Sequence, residues 1–235
     1  MQDVLIGLIA GFGYFIESVF GFGGTVVFIG ISGFFFDFKT LIYISMLVSC
    51  VASLAILLQT WRHFSLHHFK RTTLVALPTL LLGTYLMESL ASPWLLKGFA
   101  VMLVFYGLHG LAFPSWKPPT SMKYGFVALG GFIQGVFTTG GPFVLMGYRT
   151  AFADKTQLKS TMAAFFLVCN IVRVIQTTAT GNGSLDTLID YSWTCLPVII
   201  GVWLGHKLHV RIPERVFQVT MLSGLSLIGV LLLLK

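Results

Sequence analysis

Residues 15–24 read FIESVFGFGG, and residues 132–141 read FIQGVFTTGG. The two stretches lie 117 residues apart, and at the same offset Asp37 aligns with Asp154. Apolar letters match easily by chance in a hydrophobic chain, whereas a repeated Gly-Gly pair and a repeated Asp at one offset do not. The sequence therefore predicts an internal duplication, which has to be recognised before a fold is assigned.

The composition indicates an integral membrane protein. Of 235 residues, 56% are hydrophobic and 10% are charged, against about 45–50% and about 25% in soluble domains. This balance excludes a water-soluble enzyme and a disordered chain. A membrane-spanning helix needs about 20 apolar residues, so the chain has room for roughly eight segments and short loops.

Net charge and cysteine content point to no further partner. The formal charge of +7 is explained by basic loops that set membrane orientation, so we expect no nucleic-acid partner. The three cysteines form no CxxC pair, and we expect neither a metal site nor a cofactor. Because GxSxG, HExxH and P-loop motifs do not occur in the sequence, an enzyme is not expected.

The apolar segments divide the chain into two halves. The predicted first repeat covers 1–113, with a hairpin at 4–35 and helices at 40–60, 72–91 and 95–113. A linker at 114–123 leads to the second repeat at 124–235, with a hairpin at 124–148 and helices at 157–178, 187–205 and 215–234.

The distribution of Lys and Arg decides the topology. If all eight segments crossed the membrane, the loops on the two sides would hold six and eight basic residues, which is no bias. If the first segment of each half is a re-entrant hairpin, one side holds eleven and the other three. The positive-inside rule favours this second arrangement. It places loops 60–72, 113–124, 149–159 and 206–215 in the cytoplasm.

Three crossings per half is an odd number, so the two halves lie in opposite orientations. We therefore predict an all-α integral membrane protein with two inverted-topology repeats, each a glycine-rich re-entrant helical hairpin plus three transmembrane helices. Many secondary transporters are built in this way.

The two hairpin tips are the first candidate site. They contain Gly23, Gly24 and Thr25 in the first half, and Thr138, Thr139, Gly140 and Gly141 in the second. Non-helical backbone at membrane depth is tolerated only where it is buried in protein or lines a cavity. A helix that begins after such a turn presents free N–H groups to an anion. The alternative is that these glycines only allow close helix packing.

Arg173 is the second candidate. It lies in the middle of a hydrophobic segment, where an arginine costs about 2.5–3.5 kcal/mol on insertion scales. Asn170 and Thr177 share its helix face, and the equivalent face of the first half carries Ser53. A guanidinium group suits carboxylate or sulfonate oxygens. The alternative is a structural ion pair with Glu17.

Glu17 is the only acid that lies well inside a hydrophobic segment rather than near its end, and its repeat partner is the neutral Gln134. Glu17 is a candidate for proton coupling, while pairing with Arg173 or hydrogen bonding within the helix packing are the alternatives. Gln59 and Gln176 occupy equivalent places in the two halves. They either line the same cavity or join helices through hydrogen bonds.

The duplicated Gly-Phe-Gly-Gly and Thr-Thr-Gly-Gly-Pro hairpins, the two-half layout and the length resemble the sulfite exporter TauE/SafE family. The resemblance implies a bacterial inner-membrane transporter of sulfite or a small organosulfur anion such as sulfoacetate. The motif positions that carry over are Gly23, Gly24, Gly140, Gly141 and Pro142. A threonine stands where a third glycine often follows the first motif, and the proline that often follows is absent. These departures concern the substrate and not the fold.

The sequence thus predicts a secondary transporter that moves a small anion by alternating access, with proton coupling through Glu17 as one option. A passive anion channel and a carboxylate carrier are the alternatives. The expected partners are the small anionic substrate and membrane lipid. The oligomeric state stays open, with a homodimer among the options.

Overall fold

The computed structural model describes residues 2–20, 23–113, 119–148, 155–181, 185–208 and 214–235. Within these ranges the chain is α-helical with short turns and contains no strand, which confirms the predicted all-α class. The helices are α1 (Gln2–Phe20), α2 (Gly24–Ser32), α3 (Phe38–Thr60), α4 (Leu66–Ser89), α5 (Ser92–Ala112), α6 (Lys123–Phe137), α7 (Gly141–Tyr148), α8 (Lys155–Ala179), α9 (Leu185–Asp190), α10 (Cys195–Leu208) and α11 (Glu214–Leu233).

Each predicted hairpin is a long helix followed by a short helix that packs on it, α2 on α1 and α7 on α6. Glycines make the close approach possible. A Cβ atom on Gly24 would lie 2.6 Å from the carbonyl oxygen of Gly13. In the second hairpin a Cβ atom on Gly140 would overlap the carbonyl oxygen of Gly130. The two crossings therefore leave no room for a side chain at either position.

The helix pairs interlock the two halves of the chain. Helix α1 packs along α10, and α6 packs along α4, so each hairpin rests on a helix from the other half. Helix α3 packs on α8, and α5 packs on α11. Neither half could bury its hairpin without the other. The division into two repeats of opposite orientation stays a prediction.

The last but one predicted segment is interrupted in the structure. The segment 187–205 is not continuous, because α9 ends at Asp190 and a 3₁₀ turn at Ser192–Thr194 precedes α10. Pro197 is the third residue of α10, and a proline is tolerated in a first helical turn, where its missing N–H would have no partner. Pro78, which corresponds to Pro197 when the 117-residue offset is shifted by two residues, lies instead inside the unbroken helix α4.

Among the described residues, three helices are long and apolar enough to cross a membrane, namely Phe38–His63, Ser92–Ala112 and Thr156–Ala179. Exposed apolar side chains on α4, α5 and α8 are suited to contact with lipid, among them Leu74, Phe105 and Ile175. Helix α10 has 14 residues and is about 21 Å long, shorter than a hydrocarbon core of about 30 Å. The chain is a multi-pass membrane protein.

The four loops predicted to be cytoplasmic are described only in part. Residues 114–118, 149–154 and 209–213 lie outside the described residues, and with them half of the predicted linker. The loop at 60–72 is a 3₁₀ turn at Trp61–His63 followed by the first turns of α4, which begins at Leu66.

Candidate functional site

A small cavity of about 20 Å³ lies between the tips of the two hairpins. Its walls come from both halves of the chain, and six of the ten lining residues have polar side chains. The lining residues are Glu17, Gly23 and Thr25 of the first hairpin, Gln134, Thr138, Thr139, Gly141 and Pro142 of the second, Ser49 of α3 and Phe166 of α8. Residues of both predicted tips therefore line one cavity, and the assignment of this cavity as a substrate site stays a prediction.

The tip of the first hairpin is closed by Glu17. Gly23 has φ 98°, a left-handed conformation that glycine adopts readily. At the start of α2, the Gly24 N–H donates to Oε2 of Glu17 over 3.1 Å. The hydroxyls of Tyr14 and Thr25 are hydrogen-bonded to each other at 3.1 Å. A carboxylate of the chain itself therefore occupies part of the anion-binding position that was predicted at this helix start.

The tip of the second hairpin is closed by Gln134. After α6 ends, Thr138 adopts a left-handed conformation with φ 60°. The Gly140 N–H donates to Oε1 of Gln134 over 2.8 Å. Nε2 of Gln134 donates to Oδ1 of Asn170 over 3.3 Å, and Nδ2 of Asn170 donates to Oγ of Ser49 over 2.9 Å. Asn170 therefore supports the cavity wall through two of its lining residues.

Arg173 has no exposed surface. Its Nε donates to Oγ1 of Thr84 over 3.3 Å, and its Nη1 donates to Oγ1 of Thr138, a cavity-lining residue. Its Nη2 has no hydrogen-bond partner among the described residues. The guanidinium is thus held by two hydroxyls rather than by Glu17. Arg173 is not itself a lining residue of the cavity, and it is connected to the cavity through Thr138.

Lys159 is buried in the protein, although the sequence predicted it to lie in a loop. It was counted with the cytoplasmic loop 149–159, but its side chain is 3% exposed, and its Nζ donates to the carbonyl oxygen of Ser18 at the end of α1. It also interacts electrostatically with Glu17. The count of eleven basic residues on one side therefore becomes ten, against three on the other, and the predicted orientation stays the same.

The other predicted site residues fall into three groups. Gly23, Thr25, Thr138, Thr139 and Gly141 line the cavity, while Gly24 and Gly140 supply the amides that close the tips. Ser53 and Thr177 are buried outside the lining. Gln176 donates to the carbonyl oxygen of Leu81 over 3.1 Å, which joins α8 to α4.

Gln59 was predicted to line the cavity or to join helices. Its side chain is exposed and does not line the cavity. The buried polar face of α3 runs through Ser49, Ser53 and Thr60. Gln59 precedes Thr60 by one residue, a step of about 100° around the helix. It therefore points away from that face.

Sequence reasoning missed several residues of the site. Ser49, Phe166 and Gln134 line the cavity, and Thr84 holds Arg173. Gln134 could have been found, because the repeat aligns it with Glu17. The positions of Thr84 and Phe166 depend on helix packing, which no local pattern predicts.

The family model described as Sulfite exporter TauE/SafE matches residues 4–232. The matched range includes both hairpins and every residue of the cavity lining. Neither a curated protein nor a solved structure gives a significant match to the chain.

Proposed function

Because this chain belongs to the sulfite exporter TauE/SafE family, whose members are transporters and not enzymes, we propose that it moves a small anion across the bacterial inner membrane by alternating access. The proposed substrates are sulfite or an organosulfonate such as sulfoacetate. The anion binds between the two hairpin tips, in the cavity lined by residues of both halves.

The observation that carries this proposal is the free Nη2 of Arg173. A buried cation without an anionic partner is costly, and the two groups that Arg173 contacts are neutral hydroxyls. A sulfite or sulfonate oxygen can accept a charge-assisted hydrogen bond from this edge. Thr139, whose hydroxyl has no partner among the described residues, can donate a further bond to the same anion.

Alternating access follows from the proposed inverted repeat. In such transporters the substrate site lies near the midplane between the repeats, and one bundle rocks against the other. The mutual packing of α1 on α10 and α6 on α4 supports this, since a shift of one hairpin must displace a helix of the other half.

Substrate class is tested first by a thermal-shift screen of the purified protein against sulfite, sulfate, sulfoacetate, taurine and short carboxylates. A ligand that binds the folded state raises its melting temperature by mass action. We expect sulfite or sulfoacetate to give the largest shift. A larger shift with a short carboxylate would reject the sulfur-containing substrate and identify the protein as a carboxylate carrier.

Transport is tested in liposomes with Arg173→Ala and with Arg173→Lys, which keeps the charge without the fork. The matched control is Arg62→Ala, which removes a positive charge from an exposed position. We expect at least a tenfold loss of flux in both Arg173 variants and none in the control. Undiminished flux in Arg173→Ala would reject the site.

The same liposomes test the mode of transport. Saturable uptake with counterflow is expected of a carrier, and its absence would indicate a passive channel. For proton coupling through Glu17, we expect Glu17→Gln to abolish uptake driven by a pH gradient. Unchanged pH-driven uptake would reject that role.

A further inference from the structure

Three charged side chains are buried in the described part of the chain: Glu17, Lys159 and Arg173. All three are connected to the same cavity. Glu17 lines it, Arg173 donates to its lining residue Thr138, and Lys159 interacts electrostatically with Glu17. With all three ionised, the buried charges add up to +1.

Each of the two cations is held by neutral oxygens. Lys159 donates to the carbonyl oxygen of Ser18, which follows Glu17 in the sequence. Arg173 donates to two threonine hydroxyls. These contacts satisfy hydrogen-bond donors without cancelling charge, so Glu17 is the one buried carboxylate that offsets the two cations.

Other titratable groups around the cavity leave this sum unchanged. Tyr14 interacts electrostatically with Glu17. Arg173 interacts in the same way with Tyr43, Cys50 and Cys169. Phenols and thiols are neutral near pH 7 unless their environment favours the anion. Glu88 also interacts electrostatically with Arg173, more weakly than these other groups. It lies half-exposed near the end of α4, where water screens its charge.

A net charge is expensive in a low-dielectric interior, and a bound ion of opposite sign removes that cost. We propose that the site takes up one net negative charge: a monoanion while Glu17 is ionised, and a dianion only together with a proton on Glu17. This inference rests on the proposed function and makes Glu17 the residue that determines which charge state of the substrate is accepted. In the second case, one proton from solvent binds the carboxylate as the dianion enters, and the sum of charges is again zero.

The test compares two sulfonates that stay ionised across the working pH range, methanesulfonate (one charge) and 1,2-ethanedisulfonate (two charges). Their dissociation constants are measured on purified protein at one pH near neutrality. The quantity of interest is the ratio of the two constants, since any difference in size between the probes cancels when variants are compared.

The variants change charge while keeping the hydrogen bonds. Glu17→Gln retains an oxygen for the Gly24 amide, as Gln134 shows in the other hairpin, and raises the site charge to +2. Lys159→Gln retains a donor for the Ser18 carbonyl oxygen and lowers the charge to 0. The double variant Glu17→Gln/Lys159→Gln returns the charge to +1. Thermal melting without ligand checks that each variant is folded.

We expect the wild type to prefer methanesulfonate, and Glu17→Gln to shift the ratio at least about tenfold towards the disulfonate, equivalent to about 1.4 kcal/mol. The double variant is expected to return the ratio to the wild-type value. An unchanged ratio in Glu17→Gln, or a double variant that does not revert, would overturn the inference. If no variant binds either probe, sulfite or sulfoacetate, the proposed function itself fails.

Discussion

The two hairpins solve one structural problem with different chemistry. In each, a side chain from the last turns of the long helix accepts a hydrogen bond from the amide at the start of the short helix. Glu17 does so for Gly24, and Gln134 does so for Gly140. Closing the tip needs only an oxygen acceptor, which Gln134 provides without charge. The charge on Glu17 is therefore additional to its structural role.

The helix face one turn earlier also differs. In the first hairpin Tyr14 is fully buried and bonded to Thr25. The aligned residue of the second hairpin is Gly131, where a Cβ atom would overlap the carbonyl oxygen of Ala76 on α4. Each hairpin consists of a long helix, a turn and a short helix, while the side chains at the two tips differ. We propose that the repeat preserves this order of elements and that function lies in the differences.

The largest expected effect comes from breaking the shape that the hairpins share. Gly140→Ala places a methyl group against the Gly130 carbonyl oxygen, and Gly24→Ala places one 2.6 Å from that of Gly13. Both positions are walled by backbone, so we expect each variant to lose at least about 1–3 kcal/mol, the usual cost of overpacking. Thermal melting in detergent measures the loss.

The matched control for these variants is Gly125→Ala in α6, where a Cβ atom meets nothing within 4 Å. It is expected to leave stability unchanged or to raise it by up to about 1 kcal/mol, because alanine favours a helix more than glycine does. If Gly140→Ala melts like Gly125→Ala, the tight crossing of α6 and α7 is refuted.

A smaller effect is expected when both hairpin tips carry a carboxylate. Gln134→Glu keeps an acceptor for the Gly140 amide, loses the donor to Asn170, and adds a second carboxylate to the cavity. The site charge falls to 0, and we expect the affinity for methanesulfonate to drop about tenfold. Isothermal titration calorimetry measures this.

The control for that charge effect is Gln134→Met, which removes both hydrogen bonds of the amide without adding charge. Its affinity for the anion should fall by less than that of Gln134→Glu. Equal losses in the two variants would show that the tip affects binding through its hydrogen bonds and not through charge.

The hairpins and the intramembrane position of Arg173 could be predicted because each leaves a local signal in the sequence. The hairpins are marked by the 117-residue repeat, and Arg173 is marked as a lone cation in an apolar run. Lys159 left no such signal. It lies near the start of α8, where basic residues are usually cytoplasmic, and only the approach of α8 to the end of α1 buries it. The break before α10 also left no local signal, since Pro78, which corresponds to Pro197 with a shift of two residues, lies in an unbroken helix.

The smallest effect tests whether the repeat extends beyond the tips. Asp37 caps α3, where its Oδ2 accepts from the N–H and the hydroxyl of Thr40 over 3.0 and 3.2 Å. The aligned Asp154 lies outside the described residues, one residue before the start of α8. If the repeat holds there, Asp154 caps α8 in the same way. Asp37→Ala and Asp154→Ala should then each cost about 0.5–2 kcal/mol, the range measured for helix caps.

The pH dependence of these two variants sharpens the comparison. Burial alone would raise the pKa of Asp37, but hydrogen bonds from Thr40, Ser92 and Lys39 outweigh it and lower the pKa below the ordinary value. The cap therefore stabilises the fold fully above the unfolded pKa of about 3.9 and loses its effect as pH falls through the lower folded value. The melting difference between wild type and Asp37→Ala should shrink in acid, and the difference for Asp154→Ala should shrink with it. If Asp154→Ala melts like the wild type at neutral pH, Asp154 is not a cap, and the repeat does not extend beyond the hairpins.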